Sequence, residues 1–277
     1  MISIQDIHTF KETSRILLQA NEFICLRPHP NLREYISNYN ITFPTKNLMP
    51  AGFTAIPNGC ATLSIEFDNK NLLVNLDGPI TKPYIYGSRM NQLKMVVSIE
   101  FSPAGLFALT GITQSELTDI TLPFDAVNPK LTQSISDLVE KAESVYEFVA
   151  GLDLLLLKNM YTAYHPQLKC ALHNIITCAG NTSVKTLSDD IHYSERQLNR
   201  LFNQHIGVSA KSFSRLIRIN KTFRLLKKPN HSIALISDDM GFHDLSHFVR
   251  DFKSVCGVTP QAYRNNMSDF YINTGKF

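Results

Sequence analysis

The sequence predicts an α+β fold in two domains: a β-rich, barrel-like amino-terminal domain, then a helical connector and an all-α domain. Three observations predict it. Hydrophobic residues alternate in the first part, recur at helical spacing in the middle, and belong to a repeated helical segment in the last part. The expected boundaries are 1–125 for the β-rich domain, 126–165 for the connector, 166–268 for the helical domain and 269–277 for a tail. A chain of 277 residues with 44% hydrophobic content can bury two cores.

Alternation of apolar and polar residues predicts strands over 61–68 and 95–101, and both segments contain Ser-Ile-Glu-Phe. Turn residues such as Pro57-Asn58-Gly59 separate the strands, so a small barrel or sandwich is expected. Ser102-Pro103 predicts a short helix over 104–109, because a hydroxyl can cap it and proline suits its first turn.

The connector shows a period of about 3.6 residues, with apolar stripes over 131–142 and 145–161. Two amphipathic helices are therefore expected. Their apolar faces either complete a core or join two subunits, and the sequence leaves both readings open. His165-Pro166 marks the end of the connector, because proline disfavours helical geometry in the residue before it.

The helical segment occurs twice. The pattern Arg-x-Phe-x4-Gly-Val-Ser/Thr-x3-Phe/Tyr begins at Arg200 and again at Arg250. Each copy indicates a short helix, a tight turn and a longer helix that carries this arginine opposite its apolar residues. Paired helix-turn-helix units with basic outward faces are typical of proteins that read DNA.

In the first unit, Ser194 is followed three residues later by Gln197, a capping box that starts the longer helix. Arg196, Asn199 and Arg200 then lie at i, i+3 and i+4 and share the outward face. Arginine matches guanine O6 and N7, and asparagine matches adenine N6 and N7. The alternative is an ordinary solvated face.

A long helix from Ser209 to about Lys227 is expected to hold the two units rigidly apart. In the second unit Asp244 caps a helix that points Leu245, Ser246 and Arg250 outward.

Charge divides unequally between the two parts of the chain. Residues 1–165 carry 12 Lys+Arg against 16 Asp+Glu, and residues 166–277 carry 15 against 8, a net charge of +7. This excess favours a polyanionic partner for the carboxy-terminal part, although a solvated basic surface would give the same count.

No run of about 20 apolar residues occurs, and the amino terminus lacks the order of a signal peptide, so a cytoplasmic chain without a membrane partner is expected. Five cysteines without a C-x-x-C pair predict reduced thiols rather than a disulfide framework.

The second unit contains three adjacent motifs: Gly241-Phe242, Ser246-His247-Phe248-x-Arg250-x-Phe252-Lys253 and Gly257-Val258-Thr259-Pro260-x2-Tyr263-Arg264. On these motifs the chain resembles the AraC/XylS family of bacterial transcription regulators, and the resemblance covers about residues 167–266. It implies a seven-helix domain with two helix-turn-helix units that binds double-stranded promoter DNA, usually to activate transcription by RNA polymerase. The amino-terminal domain in that family often senses a small molecule or dimerises, so an effector and a homodimer are also implied.

Carried over by position, the resemblance implies DNA contacts by Arg196, Asn199 and Arg200 in the first unit. Leu245, Ser246 and Arg250 are the corresponding residues in the second unit. The sequence departs from the family at Thr222 and Ser237, where alanine is general, and at Leu245, where a polar residue is common. The leucine side chain cannot donate a hydrogen bond to a base, although it can contact a thymine methyl group.

Two amino-terminal motifs, Ile56-Pro57-Asn58-Gly59-Cys60-x2-Leu63 and Phe101-x-Pro103-Ala104-Gly105, are similar to a β-rich domain of undefined role. Tyr84, Tyr86 and Arg89 are candidates for an effector pocket, or are half-buried strand residues. No metal or other cofactor is expected, since the histidines of this part are isolated.

Two alternatives belong to other function classes. Some DNA-repair methyl-transfer proteins couple a similar DNA-binding domain to a zinc-held cysteine, but only Cys25 and Cys60 lie in the amino-terminal domain, too few for four thiolates. No hydrolase or phosphate-loop motif occurs either, so no enzyme is expected. A co-regulator that binds a protein partner instead of DNA stays open.

Overall fold

The computed structural model describes residues 2–45, 54–68, 70–85 and 89–265. The strands are β1 (Ile16–Gln19), β2 (Phe23–Leu26), β3 (Ile36–Thr42), β4 (Thr54–Ala55), β5 (Thr62–Phe67), β6 (Leu72–Asp77), β7 (Tyr84–Ile85), β8 (Met95–Phe101) and β9 (Thr121–Pro123). The amino-terminal helices are α1 (Ile4–His8), α2 (Gly105–Thr110), α3 (Pro129–Lys141) and α4 (Val145–Asn159). The carboxy-terminal helices are α5 (Pro166–Thr177), α6 (Val184–Asp190), α7 (Glu195–His205), α8 (Ala210–Leu226), α9 (Ile233–Asp239), α10 (Leu245–Cys256) and α11 (Pro260–Asn265).

Seven strands form one antiparallel sheet in the order β1-β2-β3-β8-β5-β6-β9, and β4 pairs with β7 separately. The two strands predicted from alternation, β5 and β8, lie side by side in the middle, with Ser64 opposite Ser98. The α+β fold in two domains is confirmed. The barrel-like detail is wrong, because β1 and β9 end the described sheet without pairing to each other and leave it open. Strand alternation predicts which face is buried but not whether the edges meet.

Helices α3 and α4 pack against the sheet and share its core, where Ile135, Val139, Phe148 and Leu152 are buried together with Val97. The apolar stripes of the connector thus complete the amino-terminal core.

A buried carboxylate, Asp153, pins α4 to the sheet. It accepts hydrogen bonds from the Tyr39 hydroxyl at 2.9 Å and the His29 backbone N–H at 3.0 Å, and pairs with Arg15 at 2.9 Å. These partners compensate for removing its charge from water.

Helix α2 begins three residues later than Ser102, and no capping hydroxyl starts it. Ala104 takes a left-handed conformation with φ 64°, and Gly105 lies so near the Tyr35 carbonyl that a Cβ would be 1.9 Å from the oxygen. The helix predicted over 104–109 thus forms one residue later, but close approach to another part of the chain, and not the expected hydroxyl cap of Ser102, places its start.

The described carboxy-terminal residues form the seven helices that the resemblance implies. The Ser194–Gln197 capping box starts α7, Ser209 caps α8 and Asp244 caps α10. Each of these starts agrees with the sequence prediction, because capping depends on residues within one turn.

Two separate cores lie in the helical part, and α8 contributes to both. Phe213 and Ile217 are buried in the first unit, whereas Leu216 and Ile219 are buried in the second.

The amino-terminal domain packs against both units. Ala104 is buried in the core of the first unit, and Ile56 packs against the core of the second. The Asn220 side-chain amide on α8 also donates to the Pro57 carbonyl at 2.9 Å. Each of the two motifs that resemble a domain of undefined role thus supplies a contact to the helical part.

None of the described helices combines the length and apolar character that crossing a membrane requires.

Ser237 is buried, and its hydroxyl has no hydrogen-bond partner among the described residues. We expect Ser237→Ala to raise the free energy of unfolding by about 1 kcal/mol, because a buried unpaired hydroxyl destabilises the native state. Thermal or urea unfolding measures this.

The internal repeat supplies the control. Ser188 occupies the equivalent position and is equally buried, but its hydroxyl donates to the Lys185 carbonyl at 2.8 Å. Ser188→Ala loses that bond and should gain less stability or none. Equal gains from the two substitutions would contradict the prediction.

Candidate nucleic-acid interface

The outward face of α7 presents two arginines. Leu198, Leu201 and Phe202 are buried on its inner face, and Arg196 and Arg200 are exposed on the opposite one. Neither guanidinium has an ion pair within the described ranges. Both are therefore available to an outside acceptor such as a base edge or a phosphate.

Asn199 differs from these arginines. It is half-buried, its Nδ2 donates to the Glu195 carbonyl at 3.0 Å, and its Oδ1 accepts from the Ala210 N–H at 3.2 Å. Ala210 opens α8, so this bond satisfies one of the N–H groups that lack a partner at a helix start. The amide thus ties α7, the longer helix of the first unit and hereafter its reading helix, to α8. Helical spacing on α7 alone does not indicate this role.

The second reading helix, α10, has the same arrangement. Phe248 and Phe252 are buried, and Leu245, Ser246 and Arg250 are exposed on the outward side. Leu245 is 44% exposed. Because its side chain is apolar, it suits contact with a thymine methyl group better than contact with a hydrogen-bonding base edge.

The start of α10 is fixed by Asp244, which accepts the His247 N–H at 2.6 Å. That bond, together with His243 nearby, lowers the pKa of Asp244. The His247 ring packs edge-on against Phe242 and pairs with Asp251 at 3.4 Å, which indicates a structural role.

Arg218 on α8 links the two units. Its guanidinium donates to the Gly180 carbonyl at 2.7 Å in the first unit and lies 5.2 Å above the Phe242 ring in the second. The turn of the second unit and the loop before α6 are therefore held by one side chain.

The amino-terminal domain docks at the carboxyl end of α7. The Thr118 hydroxyl donates to the Gly207 carbonyl at 2.9 Å. Gly207 has φ +91°, and a Cβ there would lie 2.5 Å from the Thr118 Oγ1, so both conformation and space require glycine. Beside it the His205 ring of α7 packs on Phe107 of α2, with ring centroids 4.0 Å apart.

A cleft of about 770 Å³, lined by polar residues, lies between the amino-terminal domain and α7. One wall belongs to the amino-terminal domain, at Thr113 and Ser115. The other is the face of α7, with Arg196, Gln197, Asn199, Arg200, Asn203 and Gln204.

The structure describes two of the three candidate effector residues. Tyr84 is 47% exposed, and the exposed Arg89 pairs with Glu66 at 3.0 Å. Tyr86 lies outside the described residues. An effector pocket at these positions stays a prediction.

The cysteine chemistry of the repair-protein alternative is not favoured. Cys25 and Cys60 are both buried, and burial raises the pKa of Cys25 to about 12, which keeps it as an unreactive thiol. No three His, Cys, Asp or Glu side chains group as metal ligands in the described part of the chain.

Two segments of the chain match known families. Residues 187–266 match a helix-turn-helix domain, and residues 25–123 match a domain of unknown function.

The curated relatives match a part of this chain. The chain is 30% identical over 87 residues to the uncharacterized HTH-type transcriptional regulator YisR of Bacillus subtilis, covering 31% of this chain and 30% of that protein. It is 24% identical over 156 residues to the arabinose operon regulatory protein of Escherichia coli, covering 51% and 53%. The matched segments thus span about a third to a half of these relatives. Among solved structures, ToxT from Vibrio cholerae aligns over 88% of this chain and 99% of its own, with a TM-score of 0.41 and 16% identity.

His205 makes the stability of the folded protein depend on pH. Burial, and secondarily His165 nearby, lowers the pKa of His205 to about 4. The native protein therefore favours the neutral ring, and the unfolded chain binds a proton at about pH 6.5. We expect this contribution to stability to be full above about pH 6.5 and to be lost progressively as pH falls towards 4.

Urea unfolding midpoints at pH 7 and pH 5 measure this effect. His205→Phe keeps the ring contact with Phe107 and should reduce the loss on acidification. His173→Gln, at an exposed histidine of α5, should leave it unchanged. The same loss in His205→Phe as in the original chain would contradict the assignment.

Proposed function

We propose, from the premise that residues 187–266 form an AraC-type helix-turn-helix domain, that this protein is a bacterial transcription regulator that binds promoter DNA. The observation that supports it best is the pair of exposed reading helices, α7 and α10, carried by one bridging helix. Each presents an exposed arginine, Arg200 or Arg250, at the same position of the repeat. Two such helices can enter successive major grooves on one face of DNA.

Electrostatics supports the same partner. The net charge of +7 lies in residues 166–277, the part that carries both reading helices. Phosphate neutralisation by such a domain releases counterions, so its DNA affinity falls steeply with salt. A protein-binding co-regulator has no such requirement.

The two units differ in what they offer a base. The first presents two arginines, each able to bind guanine through two hydrogen bonds, whereas the second presents Leu245, Ser246 and Arg250. Asn199 is already bonded within the protein, so an adenine contact by it would exchange one bond for another. We infer that Arg196 and Arg200 supply most of the sequence selectivity.

The amino-terminal domain then regulates or pairs the DNA-binding part without doing chemistry. On α4, Tyr146 is 55% exposed and Leu154 is 60% exposed on the same side of the helix, which supports a homodimer through this face. Pairing would place four reading helices on one promoter and raise the affinity through effective concentration. A small-molecule effector, activation through RNA polymerase and a cytoplasmic location complete the proposal.

Substitutions on the two reading helices test the ranking of the units. We expect Arg200→Ala to weaken binding to a site found by genome-wide mapping by ~1–3 kcal/mol and to relax one base position. Leu245→Ala should cost much less. Titrations of full-length protein against that site and single-base variants measure both.

Lys130→Ala removes an exposed cation of the amino-terminal domain and is the control, with no expected loss. A loss from Leu245→Ala equal to or larger than that from Arg200→Ala would reverse the ranking. Binding by the original chain that is insensitive to salt would contradict the proposed function.

The segment 166–277 should fold and bind DNA by itself, because its two cores consist mainly of its own residues. Circular dichroism should show a helical spectrum, and the fragment should retard duplex DNA at low salt. A fragment that is unfolded, or folded and indifferent to DNA, would contradict this prediction.

A further inference from the structure

We propose that the amino-terminal domain takes part in DNA binding directly: the Thr113 and Ser115 hydroxyls contact the sugar-phosphate backbone beside the groove that α7 reads. This proposal rests on the proposed function, since it places DNA on the outward face of α7. It assigns a ligand-binding role to a turn inside the domain of unknown function.

The lining of the 770 Å³ cleft indicates the chemistry of its occupant. All eight lining residues are polar or charged, and the charged ones are Arg196 and Arg200. Pockets for small apolar effectors are lined mostly by hydrophobic side chains, so this cleft is unsuited to them. The carboxylates next in sequence to these walls, Glu116 and Glu195, are not part of the lining. Hydroxyls, amides and two guanidinium groups together suit an extended polyanion.

The hydroxyls are available for such a contact. Ser115 is exposed, Thr113 is half-buried, and neither side chain has a hydrogen-bond partner in the described protein. Serine and threonine hydroxyls are common donors to phosphate oxygens in protein-DNA complexes.

The turn that carries them is held firmly against α7. Gln114, between the two hydroxyl residues, is 1% exposed, and its side-chain amide donates to the Ile112 carbonyl at 2.8 Å. The Thr118 hydroxyl, which lies 3.0 Å from the Gln114 carbonyl, also donates to the Gly207 carbonyl just after α7. The backbone that carries the hydroxyls therefore keeps a fixed position relative to the reading face, so little backbone entropy is lost on contact.

Position along α7 supports the backbone rather than the bases as the target. The lining runs from Arg196 near the start of the helix to Gln204 near its end, so the cleft extends along the side of the helix. A helix in the major groove has a phosphate backbone on each side, and a wall beside the helix meets that backbone.

The test uses the full-length protein, with a mapped site and a scrambled duplex of equal length as probes. The double substitution Thr113→Val with Ser115→Ala should weaken binding to both duplexes by a similar factor, about five- to 150-fold for two lost hydrogen bonds. Phosphate contacts carry no sequence information, so cognate and scrambled DNA should lose alike. The salt dependence should be unchanged, because neutral hydroxyls release no counterions.

Ser115→Glu gives a second readout. It places a negative charge beside the phosphates, so its loss should be large at low salt and shrink as salt rises. The matched control is Thr132→Val with Ser134→Ala, two hydroxyls on α3 outside the cleft, for which no loss is expected.

Three outcomes would overturn this inference while leaving the proposed function standing. They are unchanged affinity in the Thr113/Ser115 variant, tighter binding, which would mean that the turn obstructs DNA, and a loss confined to the mapped site, which would mean base readout. Failure of the original chain to bind any duplex would instead contradict the proposed function itself.

Discussion

Helix α8 buries Phe213 and Ile217 in the core of the first helix-turn-helix unit and Leu216 and Ile219 in the core of the second. Because one continuous helix of 17 residues belongs to both cores, neither unit can turn relative to the other without disturbing its own packing. The orientation of both reading helices follows from this shared helix. Asn199 joins α7 to the start of α8, and Arg218 joins α8 to the turn before α10.

The amino-terminal domain meets the two units at matching points of the repeat. Gly207 and Gly257 are equivalent, and each follows a reading helix. Thr118 hydrogen-bonds to Gly207, and a Cβ on Gly257 would lie 3.1 Å from the Pro83 Cγ. A domain that contacts the chain just after both reading helices is placed to affect both together, which supports the proposed regulatory role.

Local sequence rules predicted what depends on neighbouring residues. Ser194 and Asp244 cap helices as expected, the long helix starts after Ser209 as expected, and the two predicted strands form as β5 and β8. The internal repeat and its motifs predicted the helical domain. Features that depend on contacts between residues distant in the sequence could not be predicted from these rules. The open edges of the sheet depend on strand order, and the start of α2 depends on Tyr35. The docking of Thr118 on Gly207 joins residues 89 positions apart, so no periodicity could indicate it.

We propose that α8 holds the two reading helices at the separation of successive major grooves. Methylation interference on a mapped site, with the full-length protein, tests this most directly, because it reports major-groove contacts at single guanines. Two clusters of interfering guanines, centred about 10–10.5 base pairs apart on one face of the duplex, are the predicted result. A single cluster, or two clusters half a turn out of phase, would contradict it.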